Sequence, residues 1–253
     1  MAVFKLVVSY RGTGFCGWQR QKAGRTLSLQ EILEKALSLI LCERTRIIAS
    51  GRTDAGVHSL GQVAAFRTEV HRSPERLLPG LNSFLPESIR ILSVQRVPDD
   101  FHPQFRVKEK AYRYLIQNGA VANPLLLPYT YFFPKKLNLR RMQEAADFLV
   151  GRHNFAAFQD SGRKAKDSVR TIYRLTVEEV SDSLFFTESL VGITISGDGF
   201  LYKMVRNIVG TLIEVGRKKI EPQDVKKILE SGDRRQAGPT VPACGLTLMR
   251  VRY

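Results

Sequence analysis

The chain alternates between two hydrophobic patterns, and this alternation constrains its fold more than any other feature of the sequence. Residues 3–10 are rich in β-branched and aromatic side chains and stop at a glycine-containing turn, as strands do. Residues 28–31 then form a capping box, and the apolar residues that follow recur at helical spacing. A chain that switches repeatedly between these patterns is expected to pack helices against a sheet.

The same order of strands and helices occurs loosely a second time, which predicts an α+β fold with two similar halves. Further strands are predicted at residues 46–50, 62–66, 89–97, 111–117, 169–180, 184–196 and 244–253, and helices at 29–41, 74–82, 139–149, 200–215 and 221–232. The strands at 169–180 and 184–196 form a predicted hairpin. Hydrophilic segments bracket residues 100–108, so we predict halves of 1–105 and 106–253, each with an antiparallel or mixed sheet.

The charge balance narrows the choice of partner. The chain carries 39 Lys and Arg against 24 Asp and Glu, a formal net charge of +15, and 25 of the basic residues are arginine. Phosphate backbones and anionic membranes both attract such a surface. Arginine favours nucleic acid because its planar fork binds phosphate and stacks on bases. A solvated basic surface is the simpler alternative, and no apolar run approaches the roughly 20 residues of a membrane-spanning helix.

The absence of targeting, disulfide and cofactor signals predicts a cytoplasmic, reduced protein without a cofactor or metal. The N-terminal residues read as a strand start rather than a signal peptide. Cys16, Cys42 and Cys244 are far apart and lack CxxC spacing, so neither a disulfide framework nor a zinc site is indicated. Neither a P-loop nor a GxGxxG fingerprint stands at a strand-to-helix turn.

The loop at residues 50–56, with the sequence SGRTDAG, places a carboxylate beside a guanidinium between two predicted strands. Its glycines permit positive φ angles and close approach of a ligand to the backbone. Arg52 favours the ionised form of Asp54, and a short carboxylate on a tight loop is exposed for nucleophilic attack or proton transfer. The alternative is an Asx-turn in which Asp54 bonds its own backbone, and local spacing by itself favours that alternative.

Six segments, taken together, favour a catalytic role for Asp54 over the Asx-turn. They are SGRTDAGVHSLGQV at residues 50–63, YRGTGFCGWQRQ at 10–21, DDFH at 99–102, AYRY at 111–114, FLYKMVRN at 200–207 and PACGL at 242–246. In this order they resemble the motifs of the TruA class of tRNA pseudouridine synthases over nearly the whole chain. One position departs from the family pattern, because Arg11 stands where the family often has an acidic residue after the tyrosine of the first block.

The resemblance implies a fold, a reaction and a set of site residues. It implies one continuous sheet of the pseudouridine-synthase type with helices on the outside, and an RNA isomerase that needs no cofactor. Asp54 is implied as the nucleophile that attacks C6 of the uracil or C1′ of the sugar. Arg52 is suited to hold the flipped nucleotide, which leaves the base stack at a cost of a few kcal/mol. Tyr112 is implied to stack on the base and assist proton removal at C5, and Arg206 to pair with Asp54.

The resemblance also implies the substrate and the assembly. The expected targets are uridines 38, 39 and 40 of the tRNA anticodon arm, modified by a homodimer whose tRNA touches both subunits; DNA is not an expected partner. The RNA would follow basic clusters outside the motifs, namely Arg20, Lys22 and Arg25; Arg163, Lys164, Lys166 and Arg170; and Arg217, Lys218 and Lys219.

Several residues carry simpler alternatives. Tyr112 is equally a core aromatic on a strand, and Arg206 a solvent-facing arginine. His58 is expected to be structural or to face RNA, and Trp18 to pack in the core rather than stack on a base. For the whole protein, the alternatives are a non-catalytic RNA-binding module and a metal-dependent nuclease using Asp54 and His58.

Overall fold

The computed structural model describes residues 1–21, 26–160, 167–180 and 190–253. In chain order, the elements in these ranges are β1 (Ala2–Tyr10), α1 (Leu29–Leu41), β2 (Ile47–Ala49), β3 (His58–Thr68), α2 (Pro74–Phe84), β4 (Ile89–Val97), β5 (Glu109–Gln117), β6 (Tyr131–Phe132), α3 (Leu139–Asp147), β7 (Gly151–Asn154), β8 (Val169–Val180), β9 (Leu190–Gly197), α4 (Met204–Gly216), α5 (Asp224–Ser231) and β10 (Leu246–Arg252).

The chain folds into two compact units. The first consists of residues 1–108 and 247–253, and the second of residues 109–246. Each unit combines a sheet with helices, and each sheet contains antiparallel and parallel pairs. The predicted α+β class is therefore confirmed.

In the first unit, the strand order is β4-β1-β3-β10, with β2 paired to β3. Strand β1 runs antiparallel to both β3 and β4. Helix α1 begins with the predicted capping box, because the Ser28 side chain accepts a hydrogen bond from the Glu31 amide and Glu31 bonds back to Ser28. Leu33 and Leu37 from α1 are fully buried in one core with β1 and α2.

The last strand is the main difference between the predicted and observed division of the chain. The sequence assigned residues 247–253 to the second half, whereas in the structure they belong to the first unit. Strand β10 pairs in parallel with β3, through Thr247 opposite His58 and Leu248 opposite Ser59. This pairing joins residues almost 190 positions apart, so no local pattern encodes it.

In the second unit, the strand order is β5-β9-β8-β7, with β6 paired in parallel to β5. Helix α3 starts where predicted, since the Asn138 side chain accepts a hydrogen bond from the Arg141 amide, and it packs against α4 and β8. Of the predicted hairpin, β8 and the portion of β9 from Leu190 are observed, while the turn at 181–189 lies outside the described residues.

Several predicted boundaries are wrong. Strand β3 begins at His58 rather than at residue 62, and α5 begins at Asp224 rather than at residue 221. Two further errors have a visible cause in the backbone. Helix α4 starts at Met204 rather than at residue 200, because Lys203 takes a left-handed conformation (φ 58°) that a helix cannot continue through. The last strand starts at Leu246 rather than at residue 244, because residues 243–245 form a turn of 3₁₀-helix. Both segments carry motif residues, so their irregular backbone lies next to the functional elements.

Candidate active site

Asp54 occupies the first position of a tight turn in the loop at residues 50–57, here called the Asp54 loop. Its carbonyl oxygen accepts a hydrogen bond from the Val57 amide at 3.2 Å, and Gly56 takes a φ of 81°. A left-handed residue at that position is typical of a turn that requires glycine. The Asp54 side chain is half-buried, and Arg52 is exposed.

Thr53 fixes the Asp54 loop from its buried side. Its carbonyl oxygen accepts a hydrogen bond from the Trp18 amide at 3.0 Å, and its hydroxyl is 2.8 Å from the Tyr10 hydroxyl. Burial raises the pKa of Tyr10 to about 12, so this phenol stays neutral and able to donate at physiological pH. Trp18 itself is buried in the core, which is the packing alternative that the sequence favoured for it.

Two glycines of the 10–21 block let the chain approach the Asp54 loop closely. A Cβ on Gly17, whose φ is 95°, would lie 2.8 Å from the Thr53 carbonyl oxygen. A Cβ on Gly12 would lie 2.0 Å from the Val57 carbonyl oxygen. Neither position has room for a side chain, so the 10–21 block serves as the support on which the Asp54 loop rests.

The base of the loop is held by polar side chains. The Ser50 hydroxyl donates to Gln62 Oε1 at 2.7 Å, and Gln62 Nε2 donates to the Gly51 carbonyl at 2.9 Å. At the other end, buried His58 accepts a hydrogen bond at Nδ1 from the Gly12 amide at 3.1 Å. His58 therefore has a structural role in the first unit.

In the second unit, Tyr112 lies on β5 in the same row as Tyr114. Tyr112 is 8% exposed, and its ring meets Phe200 edge to face, with centroids 5.3 Å apart and planes at 90°. Tyr114 is fully buried and donates to the Pro242 carbonyl at 2.8 Å. Phe200 stands in the irregular segment before α4, so the backbone turn at Lys203 helps bring it to Tyr112.

Arg206 lies in the first turn of α4 and is half-buried. Its Nε donates to the Val241 carbonyl at 2.8 Å, which fixes the guanidinium plane. Tyr114 bonds the next carbonyl along the chain, that of Pro242, so the two side chains meet at the same segment. Tyr112, Tyr114 and Arg206 thus belong to one neighbourhood of the second unit.

Asn207, the next residue along α4, ties the helix to two other segments. Its Nδ2 donates to the Phe158 carbonyl at 2.8 Å, and its Oδ1 accepts from Thr240 Oγ1 at 2.5 Å and Arg234 Nη2 at 3.0 Å. The side chain is completely buried. Because Asn207 satisfies all these groups at once, it fixes the segment whose Val241 carbonyl holds Arg206.

Comparison with known proteins gives one result across nearly the whole chain. A family model described as tRNA pseudouridine synthase matches residues 6–106 and 145–253. The tRNA pseudouridine synthase A of Acetivibrio thermocellus is 44% identical over 249 residues, which cover 98% of each chain. The proteins of the same name from Clostridium acetobutylicum and Pelobacter propionicus are each 42% identical, the latter over 100% of both chains.

This chain belongs to the tRNA pseudouridine synthase family. It is accordingly an RNA pseudouridine synthase, and the expected family and enzyme class are confirmed. Among solved structures, that of a Cbf5-Nop10-Gar1 complex matches 97% of this chain and 48% of its own, at 12% identity and a TM-score of 0.37. A likeness of that size adds nothing to the assignment.

The expected site residues fall into two groups. Asp54 and Arg52 belong to the first unit, and Tyr112 and Arg206 to the second. Arg20 is exposed and pairs with two carboxylates of α1, Glu31 at 3.5 Å and Glu34 at 3.3 Å. The other basic residues expected to bind RNA lie partly outside the described residues, namely Lys22, Arg25, Arg163, Lys164 and Lys166.

The described residues contain no group of three or more His, Cys, Asp or Glu side chains that could hold a metal ion. In the same parts of the chain, no helix is long and apolar enough to cross a membrane. The metal-dependent nuclease alternative therefore has no support from the ligands that the described residues bring together.

Sequence reasoning missed the residues that support the site. Gly12 and Gly17 stand in a recognised block, but their glycine identity says nothing about which backbone they approach. Asn207 likewise closes the FLYKMVRN block without any local sign that it is buried. For Gly17 and Asn207, a glycine or amide inside a motif, with no turn or cap to explain it, was the available signal, whereas the predicted turn after residue 10 already explained Gly12.

Proposed function

We propose that the enzyme converts uridines 38, 39 and 40 of the tRNA anticodon arm to pseudouridine, with Asp54 as the nucleophile. The observation that carries this proposal is the Asp54 turn. The main chain of Asp54 makes the turn bond to Val57, and its neighbour Thr53 is bound by Tyr10 and Trp18. Such a fixed loop presents a carboxylate without first having to order it, which is how a positioned nucleophile gains its rate.

The reaction is an isomerisation whose atoms balance without a cofactor. Asp54 attacks the uridine at C6 or at C1′ to form a covalent bond, and the N1–C1′ bond breaks. The base turns and a C5–C1′ bond forms. The bond to Asp54 then breaks and releases the carboxylate, C5 loses its proton and N1 gains one. Tyr112 stacks on the base and assists removal of the C5 proton, Arg206 pairs with Asp54, and Arg52 holds the backbone of the flipped nucleotide.

The net charge of +15 supports tRNA as the partner, with affinity supplied mainly by phosphate contacts. Because three neighbouring uridines are targets, we expect the enzyme to read RNA shape more strongly than sequence. We further propose a homodimer in which one tRNA contacts both subunits, and a cytoplasmic location. The relatives named tRNA pseudouridine synthase A, aligned over 98–100% of this chain, support the reaction class.

The direct test is to map pseudouridine in anticodon-arm transcripts after incubation with the enzyme. We expect modification at positions 38, 39 and 40 with the wild-type protein and none with Asp54→Asn, which keeps the shape of the side chain and removes its charge. The matched controls are transcripts carrying cytidine at one of the three positions. Modification only at other positions, or none by the wild-type protein, would overturn the proposed specificity.

The non-catalytic RNA-binding module considered from the sequence would share the basic charge and the aromatic residues of β5, and membership of the synthase family argues against it. The two functions differ in their dependence on Asp54. A binding module keeps its whole function in Asp54→Asn, whereas the enzyme keeps its affinity for RNA and loses turnover.

A further inference from the structure

Lys110 opens the row of side chains on β5 that continues through Tyr112 and Tyr114, because residues two apart on a strand share a face. On the neighbouring strand β9, Gly197 stands opposite Lys110 and Ile195 opposite Tyr112. Gly197 has no side chain, and the backbone of β8 closes in at this point, since a Cβ on Gly197 would lie 2.5 Å from the Thr171 carbonyl oxygen.

Arg170 reaches the same region from the other side of β9. Strand β8 pairs with β9 through Ile172 opposite Gly197, and Arg170 stands two residues before Ile172, on the same face. A Cβ built on Gly199 would lie 3.6 Å from Arg170 Nε, so the arginine side chain extends over that glycine. Lys110 and Arg170 therefore approach one another across a strand end that carries glycine.

The segment containing these glycines also contacts Tyr112. Phe200 follows Gly199 directly and meets the Tyr112 ring edge to face at 5.3 Å. One short segment thus touches Arg170 at Gly199 and Tyr112 at Phe200. The two cations consequently lie beside the aromatic ring on which the target base is proposed to stack.

The electrostatics of this pair favour an anion. Both side chains are half-buried. Burial, and then the positive charge of Arg170, lower the pKa of Lys110 to about 8. Arg170 Nη1 donates to the Val169 and Asp167 carbonyls at 2.5 and 3.2 Å, which fixes the guanidinium. Two cations in a half-buried site repel each other, and a phosphate between them would be attracted by both.

We propose that Lys110 and Arg170 bind one phosphodiester group of the tRNA next to the nucleotide whose base stacks on Tyr112. The proposal rests on the proposed function for the identity of the RNA. It assigns to these residues a positioning role, in which the phosphate fixes the backbone while the base is turned. The sequence placed Arg170 in a basic cluster and gave Lys110 no role.

The test compares Lys110→Met, Arg170→Met and the charge-preserving Lys110→Arg with Lys226→Met. Lys226 lies on α5 with its side chain 63% exposed, so it matches the change in charge at a remote surface. Affinity for an anticodon-arm RNA is measured over a range of salt concentrations, together with kcat and KM. We expect Lys110→Met and Arg170→Met to weaken binding about 5- to 30-fold. The salt slope, which is the slope of log affinity against log salt concentration, should become shallower by about one phosphate contact.

The remaining variants and parameters sharpen the result. Lys110→Arg is expected to keep the wild-type salt slope, and Lys226→Met to keep both affinity and slope. The loss in the two Met variants is expected in KM, with kcat changed less than about threefold, since a phosphate contact made equally in ground and transition states acts on binding. Circular dichroism and thermal melting confirm that each variant is folded.

Neutral methylphosphonate groups, introduced one at a time into the RNA, locate the contact. One substitution near the target uridine should weaken binding to the wild-type enzyme and cause no further loss in Lys110→Met. The proposal would be overturned if the loss of affinity from each methylphosphonate added to the loss from Lys110→Met at every position. It would also be overturned if the salt slope were unchanged in both Met variants. Failure of the proposed function is distinguishable, because it removes pseudouridine formation by the wild-type enzyme while the binding measurements still report on the pair.

Discussion

The Asp54 loop of the first unit and the Tyr112–Arg206 neighbourhood of the second unit are held in place by different kinds of contact. The contacts that hold the Asp54 loop act largely on its main chain. Trp18 and Gln62 donate to the carbonyls of Thr53 and Gly51, and the chain at Gly12 and Gly17 packs too closely to leave room for side chains. In the second unit, Tyr112 and Arg206 stand on a regular strand and a regular helix. There a buried amide, Asn207, fixes the neighbouring chain.

This difference shows how the nature of the functional group sets its support. Asp54 has a short side chain, so its carboxylate can only be positioned by positioning its backbone. Arg206 has a long side chain, so its guanidinium needs a hydrogen-bond acceptor of its own, here the Val241 carbonyl, and the helix beneath supplies the rigidity. Variants of the two regions should therefore fail in different ways.

The largest effect is expected for Asp54, and it tests whether the loop carries chemistry or only a turn. Asparagine and aspartate are both good turn residues, so Asp54→Asn should leave stability within about 0.5 kcal/mol. Its turnover should fall by roughly 10⁴-fold or more, as for other nucleophile replacements, with RNA affinity retained. Single-turnover assays and thermal melts measure the two quantities. Full activity in Asp54→Asn would mean that Asp54 serves only as a turn residue.

The next largest effect is expected for Gly17→Ala. Compared with Gly14→Ala, this variant shows whether a glycine is needed beside the Asp54 loop for close packing or for its positive φ angle. Gly17 and Gly14 have similar positive φ values of 95° and 87°, but a Cβ would strike the loop backbone only at Gly17. Gly17→Ala should lower kcat about 10- to 100-fold because it displaces Thr53 and Asp54. Gly14→Ala should cost about 1 kcal/mol of stability and leave kcat within about twofold. Equal losses of kcat in both variants would contradict close packing as the cause.

Asn207→Ala is expected to lower the free energy of unfolding by about 2–4 kcal/mol. The change leaves the Phe158 carbonyl, the Thr240 hydroxyl and part of the Arg234 guanidinium without their buried partner. Thr240→Val keeps the volume and removes the hydrogen bond to Asn207 together with the one that Thr240 accepts from Arg234, so it should cost about 1–2 kcal/mol. Urea unfolding measures both variants. If Asn207→Ala costs no more than Thr240→Val, the amide does not have the supporting role described for it.

The smallest effect concerns Lys110 and depends on pH. Its pKa in the folded protein is about 8, below its ordinary value of 10.5, so the charged form is unfavourable on folding at and below pH 8. Between about pH 8 and 10.5 the unfolded chain binds the extra proton, and stability rises with pH. Lys110→Met should therefore be more stable than wild type by about 1–3 kcal/mol at pH 7, and this advantage should shrink toward pH 10.

Urea titrations at pH 7 and pH 10 measure this difference, with Lys226→Met as the control that shows no change with pH. An advantage that is the same at both pH values would mean that the lost charge is not its cause. The same experiment sharpens the comparison between the two units, because a site that is unfavourable without its ligand is expected for a binding pair and not for a support such as Gly17.

Much of the fold was predictable because its elements have strong local signals. The capping box at Ser28 gave the start of α1, and the apolar run at 89–97 gave β4 with its observed bounds. The helix predicted from residue 200 was wrong at its start, because apolar periodicity continues through Lys203 although the backbone there is left-handed. Periodicity reports which side chains are apolar, and it does not report a single φ angle.

The sequence by itself determined the family, through motif blocks in order. The family resemblance in turn predicts Asp54, Arg52, Tyr112 and Arg206 as site residues, but it does not predict how their surroundings are arranged. Only the tertiary structure decided that Gly17 packs on the Asp54 loop and that Lys110 and Arg170 approach each other across β9. The physical reason is that each of these contacts depends on the register of strands and loops distant in the chain, whereas a sequence pattern carries information only about its own segment.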